Sequence, residues 1–262
     1  LAITAAALAA TAGADGADAG VDPPFPLGER LHYSVHWLGM TCGSMTLESY
    51  AAPAHDDTAY VIVMTAQSSK FFDGIYRVRS RIESTYSRRL DSSVRYHSVS
   101  EEKKDLKDEL YEFDVEADTL VRVKNGRRQE FELGADHVHD PLAYVFKLRR
   151  VEGGVGDSTS LVLATTKGPL DTVARIERQK PIRTAFGKRQ ALKVVPEPKD
   201  GMLFSRSGRM ELWVGTDPEQ TAAAEDAERG NGSRMLSQHD VLCALVTSLV
   251  QTNRRLQMVA CP

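Results

Sequence analysis

The sequence predicts a mainly β protein: a single large curved antiparallel sheet, or a barrel-like fold made from one, with one short helix near 140–150. Three observations carry this. Apolar and polar residues alternate with a period of two in run after run. Asn125-Gly126 lies between two such runs, the strongest short hairpin signal. A third stretch, opening at Asp140-Pro141, is punctuated as a helix instead.

Leu31, Tyr33, Val35 and Trp37 alternate with His32, Ser34, His36 and Leu38 until Gly39 breaks the run, which predicts a half-buried strand. Tyr60, Ile62 and Met64 repeat the pattern. Next, Tyr76, Val78 and Ile82 oppose Arg77, Arg79, Arg81 and Glu83, so one face of this segment is apolar and the other wet and charged. Tyr111, Phe113 and Val115 lead through Val121 and Val123 to the Asn-Gly turn, and Gln129, Phe131 and Leu133 return from it. Further strands are expected at 161–164, 173–177, 191–195 and 209–214. Between them, Asp140 as N-cap, Pro141 at the first helical position, a run from Leu142 to Leu148, and Lys147, Arg149 and Arg150 near the end predict a short amphipathic helix covering the sheet. Gly153-Gly154 stops it, and the Gly-rich 153–156 stretch reads as a turn because phosphate-cradling loops precede a helix.

The chain has 262 residues, 42% of them hydrophobic and 26% charged, enough to bury a core and unlike a disordered chain. With 33 Lys+Arg against 36 Asp+Glu there is no bulk basic field, so phosphate-driven nucleic-acid binding is not expected. The opening run from Leu1 to Ala12 is apolar, small and uncharged, and ends in a small-x-small pattern. It reads as a signal peptide without its initiating Met and basic region, and is too short to span a bilayer. Residues 13–24 read as a tether, 25–220 as the β-rich domain, and 221–262 as an atypical tail. No transmembrane span is expected. The three cysteines make no disulfide framework, although Cys243 and Cys261 could pair in an oxidising compartment; Cys42 reads as a small buried hydrophobe.

The segments PFPLGERLHYSVHWLGMTCGSMTLE, SSKFFDGIYRVRSRIESTYS, EFDVEAD, DPLAYVFKLRR and PIRTAFGKRQALKVVPEPKDGMLFSRSGRMELWVGTDPEQ, in that order, resemble the family called domain of unknown function 3108, over about Phe25 to Gln220. The resemblance implies a bacterial, exported or periplasmic β-rich protein. It implies no reaction and carries no catalytic residues across. After Gln220 the chain departs from that pattern: closing strands look missing, a reading-frame slip or degraded terminus is suspected, and a sheet edge is expected to be left unpaired.

The chemistry-bearing residues each have a plainer role as well. His137, His139 and Asp140 are the most metal-like group, but Asp140 is needed as the helix N-cap, with the two histidines solvated before it, and no metal or other cofactor is expected. His32 and His36 lie about 13 Å apart along a strand and cannot share one ion. Arg77, Arg79 and Arg81 could form an anion ladder, or a wet face paired with Glu83 and neighbouring acids. Glu101, Glu102, Asp105 and Asp108 fall in a mixed-sign run that reads as a solvated edge or turn. Phe71 and Phe72 at a strand junction, and Phe204 in a Gly-bounded loop, either seal a barrel end or, if exposed, meet apolar ligands or membrane.

The leading expectation is a non-enzymatic, exported envelope protein, periplasmic in bacteria, holding an apolar or amphiphilic ligand such as a lipid in a concave sheet. Tyr33, Val35, Trp37, Phe71, Phe72, Tyr76 and Val78 are the expected contacts. One alternative is a carbohydrate-active or other hydrolase using carboxylates on the sheet face, with Glu83 first. Another is a structural or assembly partner of other envelope proteins.

Overall fold

A computed structural model describes residues 28–37, 40–54, 57–184, 187–199, 211–216 and 256–261. The leader, the tether, Phe204, Cys243 and most of the tail lie outside the described residues, as do the side chains of Trp37, His36 and Cys261.

The described chain is mainly β, as the alternation predicts. Its first part is an antiparallel meander of β1 (Arg30–Trp37), β2 (Met40–Ala54), β3 (Asp57–Ser68), β4 (Val78–Ser87), β5 (Ser92–Glu102), β6 (Asp105–Asp114), β7 (Thr119–Lys124) and β8 (Arg127–Glu132). Its second part contains β9 (Val138–His139), β10 (Ser158–Thr165), β11 (Gly168–Thr184), β12 (Gly187–Pro198) and β13 (Leu212–Gly215). A last strand, β14 (Leu256–Cys261), pairs antiparallel with β1.

Among the described residues these strands form two sheets rather than one, and neither closes on itself. The larger has the order β14-β1-β2-β3-β4-β5-β6-β7-β8 and the smaller β13-β12-β11-β10-β9. The chain changes sheet after β8, where β9 joins β10 in parallel. A parallel pair needs a crossover, which the helix α2 (Pro141–Leu148) supplies.

The Asn-Gly hairpin forms as expected: Asn125 and Gly126 both have positive φ, 47° and 80°, the geometry a two-residue turn needs to match strand twist. Three expectations are corrected. A second helix, α1 (Lys70–Tyr76), occupies what reads as a strand junction, because the Ser69 hydroxyl accepts from the Phe72 amide as an N-cap. The smaller sheet is separate. The segment after Gln220 supplies a strand after all, so the β1 edge is paired by β14.

One core joins both sheets. Leu31, Tyr33, Leu47, Ile62 and Met64 of the larger sheet, Ile176 and Val194 of the smaller, and Leu142, Tyr144, Phe146 and Leu148 of α2 belong to it. The helix is therefore sandwiched, in contact with β4, β9 and β10, and six of its eight residues are buried. That is more than the single stripe of an amphipathic surface helix, because apolar layers face it on two sides.

Candidate functional site

The inner face of the large sheet, the face toward α2, has two unlike ends. At one end the helix is fastened by buried polar groups. Asp140, fully buried, caps α2: its Oδ1 accepts from the amides of Leu142 (2.8 Å) and Ala143 (3.0 Å). Its Oδ2 accepts from the hydroxyls of Ser84 on β4 and Ser93 on β5, each at 2.6 Å. Burial raises the Asp140 pKa, and the four donors oppose that shift. Ser93 also accepts from the Asp140 amide (2.8 Å), and Ser92 both accepts from the Val138 amide and donates to its carbonyl. Two neighbouring serines thus satisfy the backbone of the short strand β9 where no ladder reaches it.

The helix ends on a second fastening. Arg149 donates through both terminal nitrogens to Glu29, at 2.8 and 2.7 Å, and both residues are buried. Its guanidinium also lies over the Phe146 ring. Lys147 reaches Asp91 at 2.8 and 2.9 Å, and Asp91 accepts from the Tyr86 hydroxyl at 2.5 Å. Burial drives the Tyr86 pKa far up, and the hydrogen bond to Asp91 adds to it. Tyr86 stacks on His139.

His139 corrects the expectation of a solvated histidine: it is buried, and its Nδ1 has no hydrogen-bond partner among the described residues. Burial, with Lys147 nearby, lowers its pKa to about 4. His137 is exposed and faces the Leu90 carbonyl at 3.0 Å, so the two imidazoles of the metal-like motif point into different environments. Among the described residues no three His, Cys, Asp or Glu side chains are grouped to hold a metal ion.

The other end lies near α1. Across the strands, Leu31, Leu47, Met64 and Ile82 are followed on the same rung by Ser98, Glu109 and Lys124. The next rung runs from Tyr33, Met45 and Ala66 to Ser80, Ser100 and Lys107. Both rungs are apolar on β1 to β3 and polar on β5 and β6. Burial also thins toward α1: on β4, Tyr86 and Ser84 are buried, whereas Ile82, Ser80 and Val78 are half-buried. The reason is length. Eight helical residues cover about 12 Å, whereas six residues of strand run about 20 Å.

The polar side chains at this end are organised. Arg122, buried beside Tyr111, donates through Nε (2.7 Å) to Glu109 and through Nη1 (2.5 Å) to Gln129. Burial works against its charge, but the hydrogen bond and charge of Glu109, together with Tyr111, outweigh this and its pKa rises. Glu102 accepts from Tyr76 (3.1 Å) and Lys107 (2.7 Å).

The expected contact residues divide accordingly. Tyr33, Val35, Tyr76 and Val78 do lie toward this end: Tyr33 is buried in the core, Val35 packs against it, and Tyr76 and Val78 are half-buried. Phe72 is buried beneath α1, whereas Phe71 stands in solvent. Glu83 is on the outer face, 3.1 Å from Arg81. The outer arginines are each neutralised, Arg77 by Glu101 and Arg79 by Asp73, so they form no anion ladder. His32 is exposed, with Nδ1 3.1 Å from the Thr46 hydroxyl. Sequence reading missed Ser84, Ser92, Ser93, Glu29 and the Arg122–Glu109 pair; the doubled serine opening β5 was the one local signal.

Among the described residues, fold and site together define a β-rich protein of two sheets, the larger packed by a helix at one end and left partly uncovered at the other. The chain matches, over residues 32–238, the family described as Protein of unknown function (DUF3108), and belongs to it. A crystal structure of a beta-barrel-like protein of domain of unknown function DUF1849 from Brucella abortus is similar with a TM-score of 0.43 and 12% identity, over 71% of this chain and 84% of that one. No curated protein matches the chain. Among the described residues, no helix is long and apolar enough to cross a membrane.

Proposed function

We propose that this is an exported cell-envelope protein that binds an amphiphilic ligand on the inner face of its large sheet, at the end near α1, without catalysing a reaction. The observation that carries the reading is the split of that face. Half-buried Val35, Ala66, Ile82 and Val78 offer an apolar floor, and Ser80, Ser98, Lys107, Glu109 and Lys124 continue the same rungs as a polar wall. A ligand with an apolar chain and a polar head matches both parts, since chain burial and head-group hydrogen bonding are then met together. The carboxylates here are engaged by cations, Glu102 by Lys107 and Glu109 by Arg122, as structural groups are. The leader-like run at Leu1–Ala12 supports export.

The test is to purify the protein from the bacterial envelope and analyse it by native mass spectrometry and lipid extraction. A bound amphiphile is expected, and Ile82→Asn and Val78→Asn variants with unchanged circular dichroism should lose it. Protein that carries no amphiphile and takes up none from a titration of fatty acid or lysophospholipid would refute the reading.

A further inference from the structure

The turns of the meander fall alternately at the two rims of the large sheet, and the rims differ. The rim with α1 also holds the β1–β2 and β5–β6 turns, and large apolar side chains there stand in solvent: Phe71 is 73% exposed, Leu106 66%, Ile75 60% and Met40 49%. The opposite rim exposes no large apolar residue in its turns at 88–91 and 115–118 among the described ones, and Val94 at the start of β5 is only 37% exposed.

The α1 rim is continuous. The Ser69 amide donates to the Cys42 carbonyl at 2.8 Å, tying the start of α1 to β2 beside Met40. The Lys103 amide donates to the Arg77 carbonyl at 2.8 Å, tying the far end of α1 to the β5–β6 turn beside Leu106. Phe71 and Ile75 are four residues apart and share one face of α1.

Charge completes the picture. The acids Asp73, Glu101 and Glu102 of this rim are paired with Arg79, Arg77 and Lys107. Exposed Lys70, Lys103 and Lys104 are left without an acidic partner among the described residues, against exposed Asp105; Lys103 lies over the Tyr76 ring. The opposite rim carries Asp114, Glu116 and Asp118 against Arg88 and Arg89, while its Asp91 is paired with Lys147.

We infer that the α1 rim docks on an anionic lipid surface, with Phe71, Ile75, Leu106 and Met40 entering the head-group boundary and Lys70, Lys103 and Lys104 meeting the lipid phosphates. Apolar tips ringed by lysines are the chemistry of interfacial binding: lysine stems lie along apolar surface while their ammonium groups reach anions. The acidic far rim turns the molecule the right way round. Docking stands independently of an inner-face ligand, since every group it uses is outside that face.

The experiment is flotation of the full chain with phosphatidylglycerol–phosphatidylcholine vesicles and with phosphatidylcholine vesicles alone. The protein is expected to float with the first and not the second, and to be released by salt. K103E/K104E and F71S/I75S should each weaken partitioning on the order of tenfold or more, while V155S, at an exposed apolar residue in another turn, should leave it unchanged. All four positions changed in the two double variants are exposed, so folding is preserved, and circular dichroism checks it. Absence of flotation with anionic vesicles, or equal flotation of the variants, overturns the inference. Self-association in solution that F71S/I75S abolishes, without vesicle binding, would assign the rim to protein contact and overturn it equally.

Discussion

The two ends of the inner face are built from the same strands and do opposite things with polar residues. At the α2 end, polar groups are buried and paired within the protein: Asp140 takes four hydrogen bonds and Arg149 is matched to Glu29. At the α1 end, Ser80, Ser98 and Lys124 are half-buried on rungs that begin as core. Burying polar groups is affordable only with complete pairing, so the closed end is where a substitution costs stability. The partly open end is where it can change binding instead.

The sharpest break in this comparison comes at Arg149. Arg149→Met leaves Glu29 buried without a counter-charge and should cost about 3–5 kcal/mol in urea unfolding. Replacing both, with Glu29→Leu, should recover most of it. A loss as large in the double variant would show that the pair contributes more than its own compensation.

Next comes acid. His139 is held neutral by burial, its pKa lowered from 6.5 to about 4. Between these values the unfolded chain binds the proton and the folded chain does not. The stability from this residue is therefore complete above pH 6.5 and is lost as pH falls through about 4, a change on the order of 3 kcal/mol. Asp140 has the opposite sign, since its raised pKa favours protonation in the folded chain. Unfolding of His139→Phe and the parent across this range separates the two: the variant should show a flatter acid limb.

Asp140→Ala removes the α2 cap and leaves the Ser84 and Ser93 hydroxyls without their acceptor, an expected loss of about 2 kcal/mol by thermal or urea unfolding. Smallest is Ser80→Ala at the α1 end, expected within about 0.5 kcal/mol of the parent. A loss at Ser80 equal to that at Asp140 would erase the distinction between the ends.

Much of the fold was legible because it is local. The alternation of Tyr33, Val78 and Tyr111 with polar neighbours, and the Asn125-Gly126 turn, are set by backbone geometry within a few residues. Asp140-Pro141 likewise carried its own helix start. The α1 helix was hidden because seven residues with Gly74 inside lack a readable period, and β14 because its partner β1 is more than 200 residues away in sequence.

The candidate site was legible only in part. Alternation put Tyr33 and Val35 on one face of β1, since a period of two decides the face of a strand, whereas Tyr76, read as part of a strand, belongs to α1. It could not say which stretch of that face α2 covers, that His139 is buried, or that Arg122 meets Glu109 thirteen residues earlier on the neighbouring strand. Those outcomes depend on where a short helix comes to rest between two sheets, a matter of long-range packing. By itself the sequence determined strands, faces and turns; tertiary structure decided which end of the face is closed, because burial is a property of what packs on a residue and not of the residue itself.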